Sequence, residues 1–201
     1  MLLPTDNITG IILAGGHSLR MGRDKALLIY RDKPFIQLIA EELKNVFKEV
    51  IIVSDNSKEY KFLDLPIYQD IYKKSGPLAG IHTALSITKK DVFVTACDFP
   101  FINKNLIVSI LETSNNEEEV IIFSVNGVAQ PLFGIYKLNC LKKLESEIEK
   151  DNLSVIRFVM KCKTKVYASE NFLNKDVTPF LLNINSPDQY QAFLRIPNNF
   201  T

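Results

Sequence analysis

Between Ile11 and Lys25 the chain reads Ile-Ile-Leu-Ala-Gly-Gly-His-Ser-Leu-Arg-Met-Gly-Arg-Asp-Lys. Arg20, Arg23 and Lys25 place three cations within six residues, close to Gly15, Gly16 and Gly22. Glycines without a Cβ let backbone N–H groups close on an anion, and successive N–H groups can form a concave nest. Guanidinium grips phosphate oxygens as a fork and ammonium acts as a point charge, so the loop suits a polyphosphate. A P-loop needs Gly-x-x-x-x-Gly-Lys-Ser/Thr; here five residues separate Gly16 from Gly22, and Lys25 stands three further on. Nor is this the Gly-x-Gly-x-x-Gly dinucleotide pattern. The plainer alternative is a Gly-rich surface turn beside a solvated basic patch. The coincidence of an apolar strand, glycines and cations favours the anion site.

A second candidate is Asp98, in Cys97-Asp98-Phe99-Pro100. It ends the apolar run Val92–Ala96, where a carboxylate is a hard-oxygen donor for Mg²⁺, an ion that takes one or two carboxylates plus phosphates and water. A helix cap is the simpler role for a lone aspartate. Cys97 beside it reads as a small buried residue, because neither His17 nor His82 is near it in sequence to activate a thiol. Cys97, Cys140 and Cys162 are odd in number and form no Cys-x-x-Cys pair. They indicate reduced thiols in a cytoplasmic protein and no closed zinc site.

The elements that must hold these residues alternate. Ile8–Leu13, Val50–Val53, Pro66–Asp70, Val92–Ala96, Val120–Val125, Gln130–Tyr136, Thr164–Ala168 and Phe180–Asn185 read as strands. The continuous β-branched runs are those of parallel strands buried on both faces. Pro34 reads as the first residue of a helix whose apolar positions run from Phe35 to Phe47 at spacings of three and four. Gly76-Pro77 opens a helix through Leu85 and Ile87, Asn103 caps one through Leu111, and Leu138–Ile148 is amphipathic. Another helix begins near Asn152 or Ser154, and Ser186-Pro187-Asp188-Gln189 starts the last. Asn126-Gly127 fits a hairpin turn. The polar run Asn115–Glu119 reads as a solvated loop and not an acidic site, because its adjacent glutamates repel one another. Ser54, Asp55 and Asn56 follow the second strand at a position that faces a ligand in open α/β sheets. The pattern predicts a three-layer, Rossmann-like α/β fold with a mostly parallel sheet, as a single domain over residues 1–201.

The 201 residues are 46% hydrophobic and 23% charged, with a net charge of +1. That is an ordinary globular composition and gives no broad electrostatic surface for nucleic acid. No apolar run is long enough for a membrane span, and the N-terminus has no charged segment leading into a long apolar one, as a signal peptide would.

Leu13-Ala14-Gly15-Gly16-x-Ser18-x-Arg20-Met21-Gly22-x-Asp24-Lys25 resembles the signature of the molybdenum cofactor guanylyltransferases. Gly76-Pro77-Leu78-Ala79-Gly80, Asp98 with Pro100, Gln130-Pro131 and residues 183–188 extend the resemblance over most of the chain. It implies transfer of GMP from GTP to molybdopterin-bound molybdenum, with Mg²⁺ as cofactor and pyrophosphate released. Arg20, Lys25 and Asp98 would be catalytic, with Asp98 holding the metal. Leu13, Ala14, Gly15, Gly16, Lys25, Asp70, Gly80 and Asp98 would line the nucleotide. Asn183 and Asn185 would face the pterin or the metal shell. Transient contact with molybdopterin-handling proteins or molybdoenzymes is also implied. Related cytidylyltransferases commonly carry Ala where Gly15 stands, which favours guanylyl transfer here. Cytidylyl or other small nucleotidyl transfer, and nucleotide binding without turnover, are the alternatives.

Overall fold

A computed structural model describes residues 5–15, 24–56, 58–97, 99–100, 102–115, 117–168, 184 and 186–195. Its strands are β1 (Ile8–Leu13), β2 (Ile29–Tyr30), β3 (Lys33–Pro34), β4 (Val50–Val53), β5 (Ile67–Tyr68), β6 (Asp91–Ala96), β7 (Val120–Val125), β8 (Val128–Tyr136) and β9 (Thr164–Ala168). The helices are α1 (Phe35–Lys44), α2 (Gly76–Thr88), α3 (Lys104–Thr113), α4 (Leu141–Glu149), α5 (Val155–Lys161) and α6 (Pro187–Leu194). Seven strands form one sheet in the order β5-β4-β1-β6-β8-β7-β9. The pairs β5·β4, β4·β1, β1·β6 and β7·β9 are parallel, and β8 runs antiparallel to both of its neighbours. The mostly parallel sheet anticipated from the apolar runs is the one observed.

Alternation along each strand feeds two cores. Ile8 and Ile12 of β1 pack with Ile36, Ile39 and Leu43 of α1 and with Leu106, Ile107 and Ile110 of α3. Ile11, pointing to the other face, packs with Leu78, Ile81 and Leu85 of α2, Leu144 and Ile148 of α4, and Phe158 of α5. Each fully buried Leu, Ile or Phe contributes about 2 kcal/mol by leaving water. This is the helix–sheet–helix sandwich that the periodicities require.

Several local readings change. Pro34 is the N-cap of α1, and Lys33–Pro34 pairs with Ile29–Tyr30 in a small hairpin that the periodicity does not reveal. The segment Leu138–Ile148 opens with a 3-10 turn at Leu138–Cys140 before α4 begins. Glu118 and Glu119 are not solvated: their side chains are 14% and 18% exposed. Glu119 accepts hydrogen bonds from Lys143 Nζ at 2.7 Å and the Lys163 amide at 2.8 Å. A charge run in sequence cannot show that cations from α4 and from the approach to β9 will meet it. The strand expected at Phe180–Asn185 lies outside the described residues apart from Ile184, which is buried with Leu28, Tyr30, Phe35 and Phe193.

Gly134 of β8 marks a tight crossing, since a Cβ there would stand 2.1 Å from the Ile121 carbonyl oxygen. Beside it the register jumps, Ile122 facing Gly134 while Phe123 faces Gln130. Pro131 falls within the jump, where its missing N–H is tolerated. Asn126 and Gly127 have φ of 49° and 74°, as a two-residue hairpin turn of the expected kind demands.

Candidate active site

The parallel strands end in line. Leu13 pairs with Val53 on one side and Ala96 on the other, and Val53 pairs with Tyr68. Gly15, Asp55 and Asp70 therefore each stand two residues past a strand end, as does Asp98 by sequence. Adjacent strands are about 4.8 Å apart, so the four loops open on one shared edge about 14 Å across. The chain turns back between β1 and β6, and such switch points are where open α/β sheets hold ligands.

On this edge Ala14 is buried and its amide donates to the Val53 carbonyl at 3.0 Å. Gly15 is exposed. A Cβ there would meet nothing nearer than Ser54 Oγ at 3.9 Å, so the backbone φ of +157°, not crowding, disfavours a side chain. Gly80, in the first turns of α2, is buried with its Cα against Leu13 and the Asp70 carboxylate. A Cβ would come within 2.8 Å of Leu13 Cδ2 and 3.6 Å of Asp70 Oδ1. The Gly-Pro-Leu-Ala-Gly segment thus lets α2 approach β1 closely, with Leu78 and Ala79 fully buried behind it.

Asp70 is the most unusual group here. Its Oδ1 is buried without a hydrogen-bond partner among the described residues. Burial, then the negative charge of Asp55, raises its pKa from an ordinary 3.8 to about 6, against the opposing pull of Lys73. The Ile71 amide donates to the buried Thr83 hydroxyl at 2.9 Å, which fixes the loop immediately after Asp70. An unpartnered carboxylate oxygen costs stability and marks a place where a ligand donor is expected. Of the three polar residues after β4, Ser54 turns inward and accepts from the Asn56 amide at 3.0 Å. Asp55 pairs with Lys73 at 2.7 Å, and Asn56 is exposed.

Lys25 opens the 3-10 turn Lys25–Leu27 and is partly exposed. Asp24 caps that turn, its Oδ1 accepting from the Ala26 amide at 2.9 Å. The hairpin after it is braced by α6: Tyr190 donates to the Ile29 carbonyl at 2.6 Å, and Phe193 packs edge-on against Tyr30 and Phe35. Sequence reasoning passed over Tyr60, fully buried under the turn, and the hairpin itself. A lone tyrosine between strands carries no signal of its own.

The structure thus brings Leu13, Ala14, Gly15, Asp70 and Gly80 to one edge and sets Lys25 on a capped turn. Gly16, Arg20, Asp98, Asn183 and Asn185 lie outside the described residues. Cys97, expected as a small buried residue, is 8% exposed at the end of β6. Among the described residues no group of three His, Cys, Asp or Glu could hold a metal, and no helix is long and apolar enough to cross a membrane.

The model of the MobA-like NTP transferase domain matches residues 10–165. A Clostridium perfringens protein named "probable molybdenum cofactor guanylyltransferase" is 39% identical over 92% of this chain and 94% of its own. One of the same name from Carboxydothermus hydrogenoformans is 35% identical over 94% and 96%. The crystal structure of molybdopterin-guanine dinucleotide biosynthesis protein A from Archaeoglobus fulgidus shares the fold, with a TM-score of 0.80 at 22% identity, over 92% of this chain and 96% of that one. The chain belongs to the MobA-like NTP transferase family.

Proposed function

We propose that the chain, working as one nucleotidyltransferase domain over residues 1–201, transfers GMP from GTP to molybdopterin-bound molybdenum. The products are the guanine dinucleotide cofactor and pyrophosphate. The observation that carries this reading is the near-full-length similarity to chains named molybdenum cofactor guanylyltransferases. The unpartnered carboxylate on the shared loop edge adds support.

An oxygen of the acceptor's terminal phosphate attacks the α-phosphorus of GTP. The new P–O bond forms as the bond from the α-phosphorus to the β-bridging oxygen breaks, and that oxygen leaves with pyrophosphate. The acceptor phosphate has a second pKa of about 6, so near pH 7 it is already an anion and needs no general base. What remains is to hold two anions in line and neutralise the leaving group, which is positioning and electrostatics. Lys25 and Arg20 are proposed to bear on the triphosphate as fixed cations. Leu13, Ala14, Gly15 and Gly16 line the nucleotide through their backbone, and Asp70 offers its unpartnered oxygen to a nucleoside hydroxyl or N–H. Gly80 keeps that corner open, as its packing against Leu13 and Asp70 suggests. Asn183 and Asn185 are assigned to the pterin side.

The fold family also implies a divalent metal, and Mg²⁺ is the finer proposal. The donors offered on this edge are carboxylate oxygens, with no all-protein cage among the described residues, which fits an ion completed by phosphates and water. Asp98 is the residue proposed to hold it. When bound, Mg²⁺ offsets negative charge on the triphosphate and on the departing pyrophosphate.

The test is pyrophosphate release with molybdenum-bound molybdopterin and Mg²⁺, using GTP, CTP and ATP in parallel. GTP is expected to dominate. Equal or faster release from CTP overturns guanylyl transfer in favour of cytidylyl transfer, and tight GTP binding without release points to a binding protein.

A further inference from the structure

Asp24 belongs to the glycine-loop motif, yet no role in chemistry falls to it. Both of its oxygens are occupied within the fold. Oδ1 accepts from the Ala26 amide at 2.9 Å, and Oδ2 accepts from the Tyr60 hydroxyl. Tyr60 is fully buried, packed in the same core as Ala26, Leu63, Ala96 and Cys97. Its phenol is driven well above its ordinary range by burial and by the bond to Asp24, so it stays a donor at every working pH. The turn that begins at Lys25 is short, closed by the Leu27 amide on the Asp24 carbonyl at 3.2 Å and the Leu28 amide on the Lys25 carbonyl at 3.1 Å. Three residues of 3-10 helix do not hold themselves in water, so the orientation of Lys25 depends on what caps the turn.

We propose that Asp24 and Tyr60 are positioning residues: the tyrosine, rooted in the core beside the end of β6, clamps Asp24, and Asp24 holds the Lys25 turn in place for the nucleotide phosphates. Asp24 is then neither a metal ligand nor a phosphate contact. Tyr60 links the loop after β1 to the end of β6, so the cation and the strand that leads to Asp98 share one rigid support. A flexible ammonium held in one place loses less freedom on meeting a phosphate, and small misplacements of such groups cost large factors in rate. This inference rests on the proposed phosphate role of Lys25.

The test combines Tyr60→Phe, Asp24→Asn and Lys25→Ala in the full-length protein. Tyr60→Phe keeps the ring and removes only the hydroxyl, so the chain folds. Amide hydrogen exchange at Ala26 is expected to quicken about tenfold, and KM for GTP to rise about tenfold with kcat within about threefold of wild type. In a Lys25→Ala background, Tyr60→Phe should change KM no further, because it acts through that lysine. Asp24→Asn keeps an oxygen for the cap, so it should retain turnover within about fivefold and leave the Mg²⁺ dependence unmoved. Equal losses from Tyr60→Phe in both backgrounds, unchanged exchange at Ala26, or an altered Mg²⁺ dependence in Asp24→Asn would each overturn the clamp. Failure of the wild type to turn over GTP would sink the guanylyl reading instead, and the Ala26 exchange result would still decide whether the clamp exists.

Discussion

Glu119 and Asp70 are both carboxylates withdrawn from solvent at strand ends, but in opposite halves of the sheet and in opposite states. Burial would raise Glu119, and hydrogen bonds from Lys143 and the Lys163 amide outweigh it, holding its pKa below the ordinary value. Asp70 has a buried oxygen with no partner among the described residues, and its pKa is raised to about 6. The pattern extends around each. In the β8-β7-β9 half, Lys161 reaches Glu147 at 2.5 Å, Lys143 reaches Glu119, and Tyr136 donates to the Pro131 carbonyl at 2.5 Å. Most carboxylates there are satisfied; Glu118 keeps one buried oxygen without a partner among the described residues, with Lys165 Nζ 3.9 Å from the other. On the loop edge of β5, β4, β1 and β6 the fold leaves a carboxylate waiting, at a cost in stability that only a ligand donor would offset. The difference sets an ion-paired carboxylate that holds the sheet apart from one proposed to meet the substrate.

The sharpest way to break this division is Gly134→Ala. With a Cβ forced to within 2.1 Å of a backbone oxygen that cannot rotate away, strands β7 and β8 must separate. A loss of about 3 kcal/mol or more is expected, near 6–12 °C in Tm for a chain of this size. Turnover per folded molecule, measured well below the new Tm, should stay near wild type. A variant that melts normally would show that the crossing is not tight.

Lys25→Ala should give the reverse. Loss of one charge contact to the triphosphate is expected to lower turnover about a hundredfold or more, while the apo Tm moves by no more than about 2 °C. A large fall in Tm would place Lys25 among the structural ion pairs and erase the division at its most important residue.

The smallest effects carry opposite signs. Asp70 binds its proton more tightly folded than unfolded, so its contribution to stability is greatest below pH 4 and is lost as pH rises through 6. After discounting for partial exposure, Asp70→Asn should stabilise the apo protein at pH 7.5 by about 1 kcal/mol, or about 3 °C, and not at pH 4, while weakening GTP binding. Glu119 has a lowered pKa, so its contribution is present above pH 4.5 and fades as pH falls through its folded value. Glu119→Gln should therefore destabilise at pH 7.5 by about 1 kcal/mol and leave GTP binding alone. Thermal melts at the two pH values, with calorimetry of GTP binding, check both. Shifts of the same sign would end the contrast.

Much of this was legible in the chain, for identifiable reasons. Val50–Val53 is apolar throughout, and Val92–Ala96 is so but for the buried Thr95, because both faces of a parallel strand are covered, and α/β order follows from that. Asn103 and Ser186 announce their helices by cap chemistry and do cap them. The glycine loop with its cations was visible as a motif. What could not be read were partnerships across long separations. Glu119 with Lys143, Tyr60 with Asp24, and an Asp70 oxygen left without a hydrogen-bond partner among the described residues depend on which loops meet, and no local period encodes that. The β2–β3 hairpin escaped because two-residue strands have no period to detect, and its turn uses Arg31 and Asp32 at φ of 48° and 65° where glycine or asparagine would have signalled it.

The central claim is that guanylyl transfer occurs with a metal held on the shared loop edge, at the residue two positions past the end of β6. Asp98→Asn keeps the shape of that side chain and removes its charge. Single-turnover pyrophosphate release from GTP, followed across a Mg²⁺ titration with wild type alongside, measures the claim directly. Release is predicted to fall about a hundredfold or more, with a higher Mg²⁺ requirement, an unchanged Tm and GTP still bound, though more weakly. Asparagine caps a turn about as well as aspartate, so a merely structural Asp98 would lose little. Near-wild-type release with the same Mg²⁺ dependence would contradict the account.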